Sequence, residues 1–218
     1  MRSEPLLVKE LHKILEQKED QGNKPYWLKR VYSHVNLATK DFQGIWSGWW
    51  EGEIPPKLEV DMIFVFEDIK KVNDDALIVA TEIKFFRDIA KRNFFEGLQQ
   101  ALAYSLFGFD GLALWHIFSE EIDDKKVKNY AKATNDIING FELPIFYLSA
   151  KISNQSKFIS FAPSQTSKQD IDYYVLWMRD FCRDKRNYLL FKNIPLGPNS
   201  EEIKKRRNTL KVMLKIPA

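Results

Sequence analysis

The sequence predicts an α/β fold in which a mixed β-sheet is flanked by helices. Two strongly apolar, strand-like segments, residues 57–68 and 76–86, are separated by the polar linker KKVNDD at 70–75. A hairpin is the simplest connection between them. A helical pattern precedes this pair, and a second helix and a further strand follow it. A mixed sheet covered by helices accommodates this order of elements.

The first helix is predicted by apolar residues that recur at helical spacing. Ser3 can cap it, and we expect it to end near Gly22. The apolar stripe consists of Leu7, Val8, Leu11, Ile14 and Leu15. The predicted order also requires a first strand within residues 42–52, a segment rich in tryptophan.

Downstream of the hairpin the sequence predicts helices and strands in alternation. In chain order they are a helix from about 93 to 107, a strand at 111–118, a helix at about 126–139, strands at 143–152 and 157–162, a helix over 168–191 and a short basic helix near the C-terminus. We expect residues 1–120 to form the core. Residues 121–218 would be an extension of helices and strands that packs on the same core, giving one compact domain.

The composition favours a soluble cytoplasmic protein. The chain has 218 residues, 44% of them hydrophobic, and a formal net charge of +3. Its single cysteine, Cys182, excludes an intrachain disulfide and a Cys-rich zinc site, and we expect this thiol to be buried. The N-terminal residues lack the apolar run of a signal peptide. The most apolar stretch, 101–118, is interrupted by Gly108 and Asp110, so we expect no membrane span.

Glu82 and Lys84 are the first candidates for chemistry. Acidic-x-Lys triplets occur at five other places in the chain, but only Glu82-Ile83-Lys84 continues a strongly apolar, strand-like run. Strand residues two apart share a face, so Glu82 and Lys84 point the same way. On the preceding strand Glu59 and Asp61 also share a face.

The hairpin register brings these residues together. If the turn is centred near residues 71–72, the numbers of paired residues sum to 143, which places Asp61 opposite Glu82 and Glu59 opposite Lys84. Opposed side chains have Cβ atoms about 5 Å apart. Two carboxylates this close repel each other unless a cation lies between them, and hard divalent cations prefer oxygen ligands. With a nearby lysine, this set suits hydrolysis of a phosphodiester.

A cross-strand ion pair between Glu59 and Lys84 on a solvated sheet face is the structural alternative. The strands are too apolar on both faces for a sheet with one face in water. Charges inside a sheet covered on both sides need partners, and a metal ion is a good one.

These residues resemble the PD-(D/E)XK nuclease superfamily. The matching pieces are EVD at 59–61, EIK at 82–84 and the helix after them, although Val60 stands where the family pattern has proline. The resemblance spans about residues 4–118. It implies a restriction-endonuclease-like core with an αβββαβ order that hydrolyses DNA with Mg²⁺ or Mn²⁺.

The resemblance also implies a role for each site residue. Asp61 and Glu82 would bind the metal ion, with the backbone carbonyl of Ile83 as a further ligand. Lys84 would orient or activate the attacking water. Many members carry a metal-binding glutamate on the first helix, and Glu10 is our candidate because it borders the buried stripe.

The segment QQALAY at 99–104 resembles the Q-x-x-x-Y element of the RecB-like exonuclease branch. Gln100 and Tyr104 are four residues apart and share a helix face. We therefore add Gln100 to the catalytic candidates and Tyr104 to the nucleic-acid contacts. An ordinary helix with a tyrosine at its packing edge is the alternative.

Basic and aromatic residues suggest further contacts with nucleic acid. Arg87, Lys91 and Arg92 follow the catalytic strand and could meet the phosphate backbone. A second basic cluster is either a polyanion surface or a solvated helix face, and it contains Lys204, Lys205, Arg206, Arg207, Lys211 and Lys215. Aromatic residues that could stack on unpaired bases, or belong to the core, are Tyr26, Trp27, Tyr32, Trp46, Trp49 and Trp50.

The three histidines, His12, His34 and His116, do not have the spacing of a zinc site, and His116 is predicted to be a core residue. Three functions stay open at this point. They are an endonuclease or junction-cleaving enzyme, a RecB-like exonuclease, and a nucleic-acid-binding or assembly protein that keeps the fold. DNA is the expected partner, RNA stays open as a substrate, and a homodimer is expected of an enzyme that cuts both strands.

Overall fold

The computed structural model describes residues 3–20, 27–38, 58–71, 76–89, 93–152, 158–161, 166–190 and 200–216. For residues 17–20, 158–161 and 166–169 it describes the backbone alone. The strand predicted within 42–52 lies outside the described residues.

In the described part of the chain, seven strands form one mixed sheet, and their order in the sheet is their order in the chain. The strands are β1 (Leu28–Asn36), β2 (Glu59–Glu67), β3 (Ala76–Phe86), β4 (Gly111–Ser119), β5 (Ile145–Ile152), β6 (Phe158–Phe161) and β7 (Thr166–Gln169). The central strands β3, β4 and β5 are parallel. The remaining neighbours are antiparallel.

Helices cover both faces of this sheet. They are α1 (Glu4–Asp20), α2 (Leu98–Ala103), α3 (Asp124–Gly140), α4 (Ile171–Asp184) and α5 (Ser200–Met213), with 3₁₀ turns at Tyr104–Phe107 and Tyr188–Leu190. Apolar residues of α1 and α4 pack on one face, and those of α2 and α5 pack on the other. No helix in the described part of the chain has the length and apolarity needed to cross a bilayer.

The α/β class and the hairpin are confirmed. In the β2–β3 ladder Met62 pairs with Thr81 and Glu67 with Ala76, so paired numbers sum to 143 as predicted. Every residue of β3 except Lys84 is buried, as expected for a sheet covered on both sides. Cys182 is fully buried too.

Some predicted boundaries are wrong. The order helix, three strands, helix, strand is present, but its first strand is β1, within a segment that the sequence left unassigned. The helix predicted from residue 93 begins at Leu98, because Gly97 has a φ of 82° and interrupts the helical backbone. The helix predicted over 168–191 is shorter than expected. It spans Ile171–Asp184, because β7 occupies Thr166–Gln169.

The C-terminal basic cluster is largely turned inward. Arg206, Arg207 and Lys211 are each less than one-tenth exposed, which contradicts the solvated-face interpretation for these three. Arg207 donates from Nε and Nη2 to the fully buried carboxylate of Asp110, at 3.2 and 2.8 Å.

The same carboxylate belongs to a larger ionic network. Asp110 Oδ2 accepts the Ile78 N–H at 2.8 Å, and the Arg186 guanidinium lies 3.7 Å from Oδ1 while it donates to Asp68 at 2.7 Å. Two buried aspartates and two buried arginines therefore join α5, the segment after α4 and the start of β3 at this end of the sheet.

We expect Arg207→Met to lower the free energy of unfolding by about 3–5 kcal/mol, because it leaves the Asp110 carboxylate buried with its main partner removed. Urea unfolding followed by circular dichroism measures this. Lys204→Ala on the same helix is the control. In the described residues Lys204 pairs with the exposed Glu201 at 2.8 Å, so its loss should leave the midpoint unchanged. Equal effects of the two variants would contradict the structural role of the network.

Candidate active site

Asp61 lies where β2 separates from β3. Their ladder reaches Met62 and Thr81, one residue short of Asp61 and Glu82. Beyond that point a side-chain hydrogen bond replaces the backbone ladder. Asp61 Oδ2 accepts the backbone N–H of Ile83 at 2.8 Å. The carboxylate of Asp61 is thereby fixed next to the strand that carries Glu82.

Glu82 is 1% exposed. Its Oε2 accepts a hydrogen bond from the hydroxyl of Tyr104. Its Oε1 forms an ion pair with Lys84, 2.6 Å from Nζ. A carboxylate oxygen has two lone pairs, so Oε1 can bind a metal ion in addition to this contact.

Lys84 is enclosed by carboxylates. Besides Glu82, it has Glu4 Oε1 at 3.4 Å from its Nζ. The alternative ion pair with Glu59 is not among the ion pairs of the described residues. Glu59 instead contacts His34, with 2.8 Å between Oε1 and Nδ1.

Glu4, in the first turn of α1, is the first-helix carboxylate that the structure brings to this cluster. Its Oε2 accepts the backbone N–H of Phe85 at 3.1 Å. The predicted residue, Glu10, lies six positions further along the helix, which corresponds to about 9 Å along the axis and about 120° around it. Glu10 was predicted from its direction around the helix axis. The position of α1 along β3, however, brings Glu4 to the cluster.

Tyr104 has a different role from the predicted one. Its side chain is fully buried, so it does not present a surface to nucleic acid. Its hydroxyl donates to Glu82 and also lies 3.0 Å from the backbone oxygen of Glu59. Tyr104 therefore positions a carboxylate of the cluster. Gln100, one turn earlier, is exposed, and no hydrogen bond of the described residues joins it to Glu82 or Lys84.

A glycine allows the turn before α2 to lie directly on the cluster. A Cβ at Gly97 would lie 3.0 Å from Lys84 Cγ and 3.2 Å from Glu82 Cγ. The turn is held from the sheet by His116, whose Nε2 donates to the backbone oxygen of Glu96 at 2.8 Å. The prediction that His116 is a core histidine is confirmed, since it is fully buried.

The predicted nucleic-acid contacts are described in part. Arg87 is exposed directly after β3, while Lys91 and Arg92 lie outside the described residues. Trp27 packs against Phe66, and their ring centroids are 5.8 Å apart, so it belongs to the core. The Tyr32 hydroxyl donates to a backbone oxygen at 2.5 Å. The remaining aromatic candidates, Tyr26, Trp46, Trp49 and Trp50, lie outside the described residues.

Burial and neighbouring charges shift the pKa values of Asp61, Glu82 and Lys84. Burial raises the pKa of Asp61 to about 7, and the charge of Glu82 adds to this, although the Ile83 N–H opposes it. Burial also raises the pKa of Glu82. Burial lowers the pKa of Lys84, but the neighbouring Glu82 carboxylate outweighs it, so the net shift is upward. The cluster disfavours further negative charge and holds its one ammonium group firmly.

The donor set fits a hard divalent cation. Within the described residues no three side chains of His, Cys, Asp or Glu form a metal site by themselves. The expected set is two carboxylates and the Ile83 carbonyl, and Mg²⁺ characteristically keeps several waters in addition to one or two carboxylates. The fixed Asp61 carboxylate and the buried Glu82 Oε1 suit this arrangement.

Comparison with protein-family models, with curated proteins and with solved structures found no match to this chain. The site is therefore interpreted from its own residues.

The raised pKa of Asp61 predicts a pH-dependent stability in EDTA. A carboxyl group whose pKa moves from 3.8 unfolded to about 7 folded stabilises the protein most at low pH. Its contribution is lost as pH rises from about 4 to 7. Asp61→Asn keeps an acceptor for the Ile83 N–H and cannot ionise, so its melting temperature should exceed that of the wild type increasingly across this range.

Differential scanning fluorimetry in EDTA from pH 4 to 8 measures the difference. Glu67→Gln is the matched control, because Glu67 is an exposed carboxylate at the other end of the same strand. A difference between Asp61→Asn and wild type that stays constant with pH would contradict the proposed environment of Asp61.

Proposed function

We propose that this protein is a divalent-metal-dependent nuclease of the PD-(D/E)XK kind, with a restriction-endonuclease-like core, that hydrolyses phosphodiester bonds in DNA. The observation that carries the proposal is the fixed Asp61 carboxylate beside the ion pair of the buried Glu82 and the partly exposed Lys84, at the point where β2 and β3 separate.

The charges support cation binding over a purely structural cluster. Among the described residues, three carboxylates, those of Asp61, Glu82 and Glu4, surround one lysine, Lys84. Buried charges need partners, and a structural cluster would be expected to balance. The excess of carboxylates is stabilised if a divalent cation joins them.

Each residue then has a part in the reaction. Asp61, Glu82 and the carbonyl of Ile83 would hold Mg²⁺ or Mn²⁺, which when bound offsets the phosphate charge and activates water. The Lys84 ammonium, held by Glu82 and Glu4, would orient the attacking water or a phosphate oxygen. Burial of Glu82 keeps bulk water from competing for these contacts.

An endonuclease or junction-cleaving enzyme remains our leading proposal. The exonuclease alternative rested on Gln100 and Tyr104, and the burial of Tyr104 weakens its reading as a nucleic-acid contact. A binding or assembly protein is the third candidate. The unbalanced carboxylates argue against it, because they destabilise a protein that has no use for a cation.

Cleavage of a substrate panel by wild type and Lys84→Ala tests the proposal. The panel contains linear single strands, linear duplex, closed circles and a four-way junction, each with Mg²⁺, Mn²⁺ or EDTA. We expect metal-dependent cleavage that falls about 100-fold or more in Lys84→Ala, because the group that orients water or phosphate is lost. Cleavage of closed circles or junctions would favour the endonuclease over the exonuclease.

Lys128→Ala is the control, since Lys128 is an exposed lysine on α3. Cleavage that survives in Lys84→Ala would mean that the site is wrongly assigned. Binding of DNA with no cleavage of any substrate would favour the binding protein.

Tyr104→Phe tests how Glu82 is positioned. The variant keeps the ring and removes the hydroxyl that donates to Glu82. Loss of a partner that orients a metal ligand typically weakens metal affinity by about 10- to 100-fold. Calorimetric titration with Mn²⁺ should show this loss at nearly unchanged thermal stability.

Tyr174→Phe is the control, at a buried tyrosine on the opposite face of the sheet, and it should bind Mn²⁺ as the wild type does. Equal Mn²⁺ affinities of all three proteins would contradict the role of Tyr104.

A further inference from the structure

His34 lies opposite Asp61 in the sheet. On either side of it, Ser33 pairs with Met62 and Val35 pairs with Val60. Opposed residues of antiparallel strands have Cα atoms about 5 Å apart. A residue of β1, the outermost strand of the sheet among the described residues, therefore stands beside the proposed metal ligand, on the side away from Glu82.

The backbone of His34 is unusual for its position. Its φ is 53°, in the left-handed region that residues with a Cβ rarely adopt. Three other non-glycine residues of the described chain have positive φ, namely Lys71, Glu142 and Lys215, and each lies in a turn outside the helices and strands. His34 differs because it lies inside a strand, where such strain tends to accompany function.

The ring of His34 is oriented by a carboxylate. Glu59 Oε1 lies 2.8 Å from Nδ1, so Nδ1 carries a proton that it donates to Glu59. The other nitrogen, Nε2, is buried and has no hydrogen-bond partner in the described part of the chain. A cross-strand pair with a purely structural role accounts for Nδ1 but explains neither the backbone conformation nor the unpartnered Nε2.

We propose that His34 is a substrate-contacting residue of the site, whose Nε2–H donates to an oxygen of the phosphodiester beside Asp61. Glu59 is then the residue that positions the ring. This inference rests on the proposed nuclease function. If the ring is protonated, Nδ1–H donates to Glu59 and Nε2–H is left to donate, and an anionic phosphate oxygen is a matched acceptor for it.

The negative charge of the cluster explains why a contact between His34 and the phosphate would help substrate binding. Asp61, Glu82 and Glu4 repel an anionic substrate, and Lys84 is already held by two of these carboxylates. A second donor on the far side of Asp61 would hold the phosphate from the direction opposite to Lys84.

The test compares wild type, His34→Gly, His34→Asn and Glu59→Gln. Glycine and asparagine tolerate the left-handed backbone, so both His34 variants should fold and melt at or above the wild-type temperature. Glu142→Gly is the matched control, because it relieves the same backbone conformation at an exposed site on the turn after α3. We measure kcat/KM on the preferred substrate of the panel, Mn²⁺ affinity, and oligonucleotide binding in Ca²⁺ by fluorescence anisotropy.

We expect kcat/KM to fall by about 10- to 100-fold in both His34 variants, as for loss of a charge-assisted hydrogen bond, and less in Glu59→Gln. Mn²⁺ affinity should stay unchanged. Added imidazole should restore part of the activity of His34→Gly but not of Lys84→Ala, which a structural role of His34 would not produce.

Full activity in His34→Gly, or lost activity without rescue by imidazole, would overturn the inference. Weakened Mn²⁺ binding would also overturn it, because His34 would then be a metal ligand. If the wild type cleaves nothing, the nuclease proposal fails, and the anisotropy arm decides the inference alone. Weaker oligonucleotide binding by His34→Gly would then support a phosphate contact, and unchanged or absent binding would reject it.

Discussion

The rest of the site depends on one constraint, the burial of two acidic side chains at the point where β2 and β3 separate. Burial disfavours the charge of Asp61 and of Glu82, so each carboxylate needs donors that come from fixed positions. The Ile83 N–H comes from β3 itself, and the Tyr104 hydroxyl comes from the 3₁₀ turn after α2. The hairpin alone is therefore insufficient, and the parallel unit of β3, α2 and β4 has to form before Glu82 is held.

The two ends of β3 show why this cluster is interpreted as functional. At the start of the strand, Asp68 and Asp110 are matched by Arg186 and Arg207, so buried charges balance and serve to hold the C-terminal helix. At the other end, three carboxylates of the described residues surround Lys84. This second cluster is only partly buried, since the side chain of Glu4 is 32% exposed, and both clusters are built from ordinary ion pairs. The imbalance, and not the presence of buried charge, separates a site that calls for a cation from a set of structural ion pairs.

Sequence patterns predict those parts of the fold and the site that depend on local spacing, and they miss those that depend on tertiary packing. The hairpin and its register were predictable because apolar residues run along both strands and a polar turn fixes the pairing. Glu4 was missed because helical periodicity gives direction around α1 but not the height of the helix against β3. The role of Tyr104 was missed for a similar reason. Spacing placed it on one helix face with Gln100, but only tertiary packing decides which of the two is buried. Strand β1 was left unassigned because its LKRVYSHVN sequence is too polar to stand out as a strand.

The end of the β2–β3 ladder explains how Asp61 is held. Toward β3 the ladder stops at Met62, whereas the pairing with β1 continues in one register past Asp61 as far as Glu59. The Ile83 N–H lies beyond the β2–β3 ladder, and the Asp61 carboxylate accepts it instead. Asp61 is therefore held between one strand that stays paired with β2 and one that has separated from it. In the proposed reaction, the metal ion and the phosphodiester would meet Asp61 on the side where β3 has separated.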